Sequence, residues 1–188
     1  PEALKERSPQ GLGRVLGLFQ ALVAAQMIGF GIAGLAIYSQ AGEDGVAGFL
    51  VVIGASVVLT AVCLSLAAWI AAGTVGRRRS RALAIALVAW FAMVVMFDLA
   101  VLGVASLLRS GTASRVLITS ALLNPVDAVR TGALLAIEGT AAFGAASLAL
   151  LRFTGGGGRA LLLVGASLCA WVVLPLLMAA RRLSKADI

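Results

Sequence analysis

Asp98 is the residue of this sequence whose chemistry depends most on its surroundings, because it is the only acidic residue within four long apolar stretches. A carboxylate near the middle of a bilayer is costly unless it is protonated, paired or in contact with water. We therefore expect Asp98 to point into a helix bundle or a cavity. A functional role and a neutral, hydrogen-bonded structural role both fit the sequence.

A second polar group follows in the segment Asn124-Pro125-Val126-Asp127, which predicts the start of a helix. Asn at the N-cap accepts a backbone N–H, Pro suits the first helical position, and an acid suits the positive helix end. The helix should run from Pro125 to about Ile137. Asp127 and Arg130, three residues apart, can form an ion pair on one side of it. Four apolar side chains fall near another face: Val126, Ala133, Leu134 and Ile137.

Such a helix is expected to lie at a membrane interface or to dip into it. Asn124 and Asp127 are then either capping groups alone or part of a surface that contacts a partner, and the sequence leaves both open.

Methionine sulfur is a soft ligand, so Met27, Met93, Met96 and Met178 raise the possibility of a copper(I) path. At about 100° per helical residue, Met96 lies roughly 160° and Met93 roughly 140° from Asp98. The sulfurs and the carboxylate therefore do not share a face. Met93 and Met96 remain weak metal candidates, and packing explains them better.

The other polar and sulfur residues point to structure rather than chemistry. Gln26 is expected to bridge two helices. Cys63 and Cys169 have no CxxC neighbour, and the chain has no histidine, so both are expected to be small core residues. The glycines of 155–158 lack the Lys-Ser/Thr of a phosphate loop and are expected to form a hinge.

An intramembrane enzyme is the least favoured class, because no second intramembrane carboxylate is present.

Four helical membrane crossings must position these residues. The apolar stretches are Val15–Ile37, Val46–Val75, Ala82–Leu108 and Ala160–Ala180. A hydrocarbon core about 30 Å thick needs roughly 20 helical residues. The chain is 61% hydrophobic and only 12% charged, against about 25% charged in soluble domains. The sequence predicts an all-α, polytopic membrane helix bundle. It forms a single transmembrane domain, 1–188, with a long outer segment, 109–159, that contains interfacial or re-entrant helices.

Charge predicts the orientation. Ten of the fifteen basic residues precede the first crossing, fill the second connection or follow the last crossing, and five are spread over the outer segment. The positive-inside rule then places both termini and the cluster Arg77, Arg78, Arg79 and Arg81 in the cytoplasm. Loop Tyr38–Gly45 and the outer segment face outward. The net charge of +7 thus suits lipid headgroups and topology better than nucleic acid.

These residues resemble a known family, the type-2 ABC permeases, and within it the NosY-type subunits of the transporter for nitrous oxide reductase maturation. The similarity covers about the last 110 residues. It rests on Phe97-Asp98-Leu99, on Leu122-Leu123-Asn124-Pro125-Val126-Asp127-Ala128-Val129-Arg130, on Glu138-Gly139, and on a final helix that ends in Arg181-Arg182.

The resemblance implies a six-helix subunit that dimerises in the bacterial inner membrane, of which this chain, opening at Pro1, contains the last four crossings. It implies three partners: a cytoplasmic ATPase that binds ATP and magnesium, a second permease copy, and a periplasmic copper-handling protein. No cofactor is expected on this chain itself. Asn124, Asp127, Arg130 and Glu138 would contact the periplasmic partner, and the basic cluster 77–81 would contact the ATPase or lipid headgroups.

Whether copper, a sulfur species or only mechanical force crosses such a permease is not readable from these residues, although the absence of histidine and the Met/Asp geometry favour force. Two alternatives remain open. One is a generic type-2 exporter of lipids or drugs, and the other is a small non-transport assembly subunit.

Overall fold

The computed structural model describes residues 2–73, 79–137 and 144–186. Every regular element in these ranges is helical. The elements are α1 (Glu2–Gly73), α2 (Arg79–Phe91), a π-helical turn (Ala92–Met96), α3 (Phe97–Leu107), α4 (Ser110–Leu123), α5 (Pro125–Ala136), α6 (Ala145–Thr154) and α7 (Gly157–Ala186).

Four helical stretches are long and apolar enough to cross a membrane: Gly13–Glu43, Gly45–Gly73, Ser80–Leu107 and Gly157–Ser184. Many of their large apolar side chains are exposed, among them Ile28, Ile32 and Leu35, as expected for surfaces that face lipid. The predicted class, an all-α polytopic membrane protein, is confirmed.

The first two crossings are joined by one residue rather than by a loop. Helical geometry continues through Tyr38–Gly45 except at Gly42, which has φ +63° and ψ −150°. This conformation is essentially restricted to glycine. The predicted loop was therefore wrong: α1 breaks at this single glycine into two helical arms, which contact each other through Gln26 and Thr60.

The chain divides into two compact units, residues 1–78 with 172–188, and residues 79–171. In the first unit, Gln26 Nε2 donates to Thr60 Oγ1 at 2.7 Å and so joins the two arms of α1. This is the helix bridge expected for Gln26. At the other end of the second arm, the guanidinium of Arg182 lies 5.0 Å from the centre of the Trp69 ring, a cation–π contact between α1 and the end of α7.

The two cysteines are not core residues. Cys63 and Cys169 are both free and exposed, so the prediction that they are buried was wrong. Their apolar neighbours in sequence indicated burial in protein, whereas these helix faces are exposed at the surface of the described chain, where lipid can cover them.

The second unit has a small core of tightly packed helices. Ala128, Leu150, Ala160 and Val164 are buried together, which brings α5, α6 and the first half of α7 into contact. Gly155, with φ +72°, ends α6 in the left-handed conformation that commonly closes a helix. Only Gly155 and Gly156 separate α6 from α7.

The third crossing is not one regular α-helix. Between α2 and α3 its backbone widens into the π-helical turn, in which the N–H of Phe97 donates to the carbonyl of Ala92. This bond spans five residues instead of four. Short π-helical segments within α-helices are frequent at functional sites, and Asp98 is the second residue after this one.

Candidate functional site: a polar network between the third crossing and α5

Asn124 separates α4 from α5 and begins the polar network. Its Oδ1 accepts the backbone N–H of Val126 at 3.1 Å, which satisfies one of the free donors at the helix start. Pro125 occupies the first helical position, and α5 ends at Ala136. The predicted helix and its Asn cap are thus present.

The buried face of α5 differs from the predicted apolar face. Its buried residues are Pro125, Asp127, Ala128, Val129 and Thr131, whereas the apolar set that includes Val126 and Leu134 is only partly buried. Small Ala128 belongs to the core formed with α6 and α7, and Asp127 on the same side has an ion-pair partner. A prediction from apolar side chains alone therefore identified the wrong buried face of α5, because polar groups that have a partner can also be buried.

Arg130 bridges two carboxylates from different helices. Its Nη2 lies 2.6 Å from Asp127 Oδ1, the pair predicted within α5. Its Nη1 lies 3.1 Å from Asp98 Oδ2 on α3. The Asp127 side chain is 8% exposed, that of Asp98 29%, and that of Arg130 58%. One guanidinium thus satisfies two acids, as its forked donor geometry allows.

The sequence reasoning required a partner or a cavity for Asp98 but did not identify Arg130. The available signal was the uncompensated negative charge of Asp98 within its crossing. An intramembrane acid calls for a counter-charge, and Arg130 is the basic residue of the capped helix that follows. The separation of 32 residues hid this pairing from arguments based on helical spacing.

Burial changes the titration of Asp127, which lies outside the four crossings. Burial raises the pKa of Asp127 from 3.8 to about 6, the nearby Arg130 opposes this rise, and Asp98 adds to it. Desolvation and a second acid both disfavour the charged form. The network therefore holds two acids and one base, of which Asp127 is the acid poised to take up a proton near pH 6.

Asn124 also connects α5 to the π-helical turn. Its Nδ2 donates to the backbone carbonyl of Met93 at 2.7 Å. Met93 thus contributes its backbone carbonyl to this site. The predicted angles for Met93 and Met96 assumed a regular α-helix. They do not apply, because both residues lie within the π-helical turn, where the rotation about the helix axis per residue is smaller than in an α-helix.

The end of α4 fixes the position of this network. The carbonyl of Leu122 accepts hydrogen bonds from Ser167 Oγ at 2.7 Å and from Trp171 Nε1 at 3.3 Å, both on α7. Carbonyls in the last turn of a helix have no partner within it. These two donors hold the junction of α4 and α5 against α7, and the sequence analysis did not foresee them.

The hydrogen bonds and ion pairs of this site connect separate helices. Within the described ranges there is no group of three or more His, Cys, Asp or Glu side chains able to hold a metal ion. Instead, Asn124 donates to the Met93 carbonyl in the π-helical turn, and Arg130 pairs with Asp98 on α3. These two bonds attach α5 and its cap to the third crossing. A shift at the π-helical turn would act directly on Asn124, and a shift of α3 would act on Arg130 through Asp98.

The remaining predicted site residues lie elsewhere. Gln26 belongs to the other unit. Arg81 is exposed on α2, and Arg79 is the first residue of that helix. Arg77, Arg78 and Glu138 lie outside the described residues, so their predicted contacts stay predictions.

Comparison with known proteins identifies relatives of this chain. The model of the ABC-2 family transporter proteins matches residues 12–188. A probable ABC transporter permease protein NosY from Pseudomonas aeruginosa is 37% identical over 142 residues, which cover 73% of this chain and 51% of that protein. The chain thus spans about half the length of this curated relative. No solved structure matches the chain significantly.

Proposed function

Because this chain belongs to the ABC-2 family of transporters, we propose that it forms the permease part of an ABC transporter and transmits the work of a separate cytoplasmic ATPase to a protein on the outer side of the membrane. Permeases of this kind are not enzymes themselves. ATP and magnesium would be bound by the ATPase, and a second permease copy would complete the membrane domain.

The more specific proposal is that the transporter takes part in the maturation of nitrous oxide reductase, and that the partner protein on the outer side of the membrane handles copper. The single observation that carries it is the 37% identity to the NosY permease over 73% of this chain. The Asn124–Arg130 segment lies inside the region on which the resemblance was based, and it contains three of the four side chains of the polar network.

The geometry favours transmission of force over passage of a metal. Asn124 and Arg130 attach α5 to the third crossing at two points, the Met93 carbonyl and Asp98. Arg130 is also 58% exposed, so it can contact a partner while it holds both acids. Movement that reaches the π-helical turn from the cytoplasmic side would then reposition the surface of α5 beneath the partner.

The partner would be tested by co-purification from membranes of the native host. Arg130→Glu places a third acid beside Asp98 and Asp127 and reverses the charge offered to the partner. Recovery of the periplasmic protein should fall while the ATPase remains bound. Arg109→Glu is the matched control, because Arg109 is exposed and makes no ion pair among the described residues. Undiminished recovery with Arg130→Glu at equal membrane levels would exclude α5 as the docking surface.

The maturation role needs a second measurement. Deletion of the gene in the native host should leave nitrous oxide reductase short of copper, and the unaltered gene should restore the copper content. A fully loaded reductase in the deletion strain would refute the maturation role. An ATPase that still co-purified with the chain would leave the permease proposal standing.

A further inference from the structure

An open groove of about 480 Å³ lies on the second unit, lined by residues of α4 and α6. Arg115 of α4 and Arg152 of α6 both line it, and both are exposed. In the part of the chain that the structure describes, neither forms a salt bridge with an acid. Two guanidinium groups that lack an acidic partner among the described residues thus share one groove.

The rest of the lining is largely apolar. It includes Leu117 and Ile118 from α4, and Leu148 and Phe153 from α6. Leu148 is 41% and Phe153 68% exposed. A soluble surface rarely combines exposed aromatic and aliphatic side chains with two unpaired cations in one depression. An amphiphile with an anionic group and an apolar chain matches both features.

The groove also lies close along the chain to two membrane crossings. Only Leu108 and Arg109 separate α4 from the end of the third crossing at Leu107. Only Gly155 and Gly156 separate α6 from the start of the fourth crossing at Gly157. Both walls of the groove are therefore connected within a few residues to the ends of membrane-spanning helices, and long basic side chains near such ends reach to the lipid interface.

We propose that this groove is a binding site for an anionic phospholipid. The phosphate would accept hydrogen bonds from Arg115 and Arg152, since guanidinium donors match phosphate oxygens well. The glycerol and the upper acyl chain would pack against Phe153 and the leucines. A bound lipid would neutralise the two cations and fill the gap between α4 and α6, in the unit that carries the polar network. The site does not depend on the transporter's substrate or partners.

The test is native mass spectrometry of the protein in detergent, titrated with phosphatidylglycerol or with phosphatidylcholine. The protein should retain phosphatidylglycerol in preference to the zwitterionic lipid. Arg115→Gln and Arg152→Gln should each weaken retention about fivefold, as expected when one basic contact is removed, and the double variant should weaken it further. Arg109→Gln removes the same charge next to the groove and should have little effect. Arg115→Lys should keep part of the affinity.

Circular dichroism on each variant would separate loss of binding from loss of fold. Equal retention of phosphatidylglycerol by the unaltered protein and the double variant would overturn the proposal, as would equal binding of the two lipids. Unchanged lipid retention together with loss of an acidic protein partner in the arginine variants would assign the groove to protein docking instead.

Discussion

Arg130 Nη1 on α5 lies 3.1 Å from Asp98 Oδ2 on α3, although 32 residues separate the two in sequence. This ion pair gives the intramembrane acid its counter-charge and attaches α5 to the third crossing. The same guanidinium contacts the nearly buried Asp127, so loss of Arg130 would leave two acids without their base.

The first prediction concerns this pair. Asp98→Asn and Arg130→Gln should each destabilise the protein, and their combination should cost less than the sum, with a coupling of about 0.5–3 kcal/mol. Thermal unfolding in detergent of the single and double variants measures it. Arg109→Gln combined with Asp98→Asn should be additive. Additive effects for Asp98→Asn with Arg130→Gln would mean that the contact contributes nothing measurable.

Asp98→Leu provides a harsher test of the same acid. It removes the charge and every hydrogen bond, and should lower the yield of assembled complex because Arg130 loses its partner on α3. Normal assembly and normal function with Leu would contradict both a structural and a charge-dependent role for Asp98.

The local sequence was sufficient to predict α5 and its cap because those features depend on neighbouring residues: an Asn, a Pro and an acid in the first turn. The crossings were likewise recognisable from length and composition alone. Three features were missed. The pairing of Asp98 with Arg130 joins separate helices, and the π-helical turn leaves no residue signature. The break at Gly42 looks like a loop, because polar residues around a glycine give no measure of how many residues a reversal needs.

The second prediction separates the two roles of Asn124. Asn124→Ser keeps an N-cap oxygen but is too short to reach the Met93 carbonyl, whereas Asn124→Ala loses both contacts. The loss of the cap should cost about 1 kcal/mol, and the loss of the bond to Met93 about 1 kcal/mol more. Stability should therefore decrease from Asn to Ser to Ala in thermal unfolding. Equal stability of the Ser variant and the unaltered protein would show that the hydrogen bond to the π-helical turn contributes nothing measurable to stability.

The third prediction follows from the raised pKa of Asp127, about 6 against 3.8 for the ordinary group. The folded protein binds this proton more tightly than the unfolded chain does. Its contribution to stability is therefore complete below pH 3.8 and is lost as the pH rises through about 6. Melting temperatures between pH 4 and pH 7 should fall with rising pH, and Asp127→Asn should remove part of this slope. An identical slope in Asp127→Asn would assign the pH dependence to other groups.

The fourth prediction concerns the break in α1. Any side chain at Gly42 is strained at φ +63° and ψ −150°, so Gly42→Ala should cost about 1–3 kcal/mol. Gly48 is the control, because it lies inside the second arm with open space where a Cβ would be. Gly48→Ala should be neutral or stabilising, since alanine favours the helix. Equal melting temperatures for the two variants would contradict a required reversal at Gly42.

The last prediction tests the orientation deduced from charge. The exposed Cys63 and Cys169 are first replaced by serine to remove background reaction. Cysteine is then introduced at Ser80, beside the basic cluster, or at Ser114 on α4; both positions are exposed. With the basic cluster in the cytoplasm, a membrane-impermeant maleimide should label position 114 in intact cells and position 80 only after permeabilisation. Labelling of position 80 alone in intact cells would invert the topology. Equal labelling of both would contradict the separation of these two positions by the third crossing.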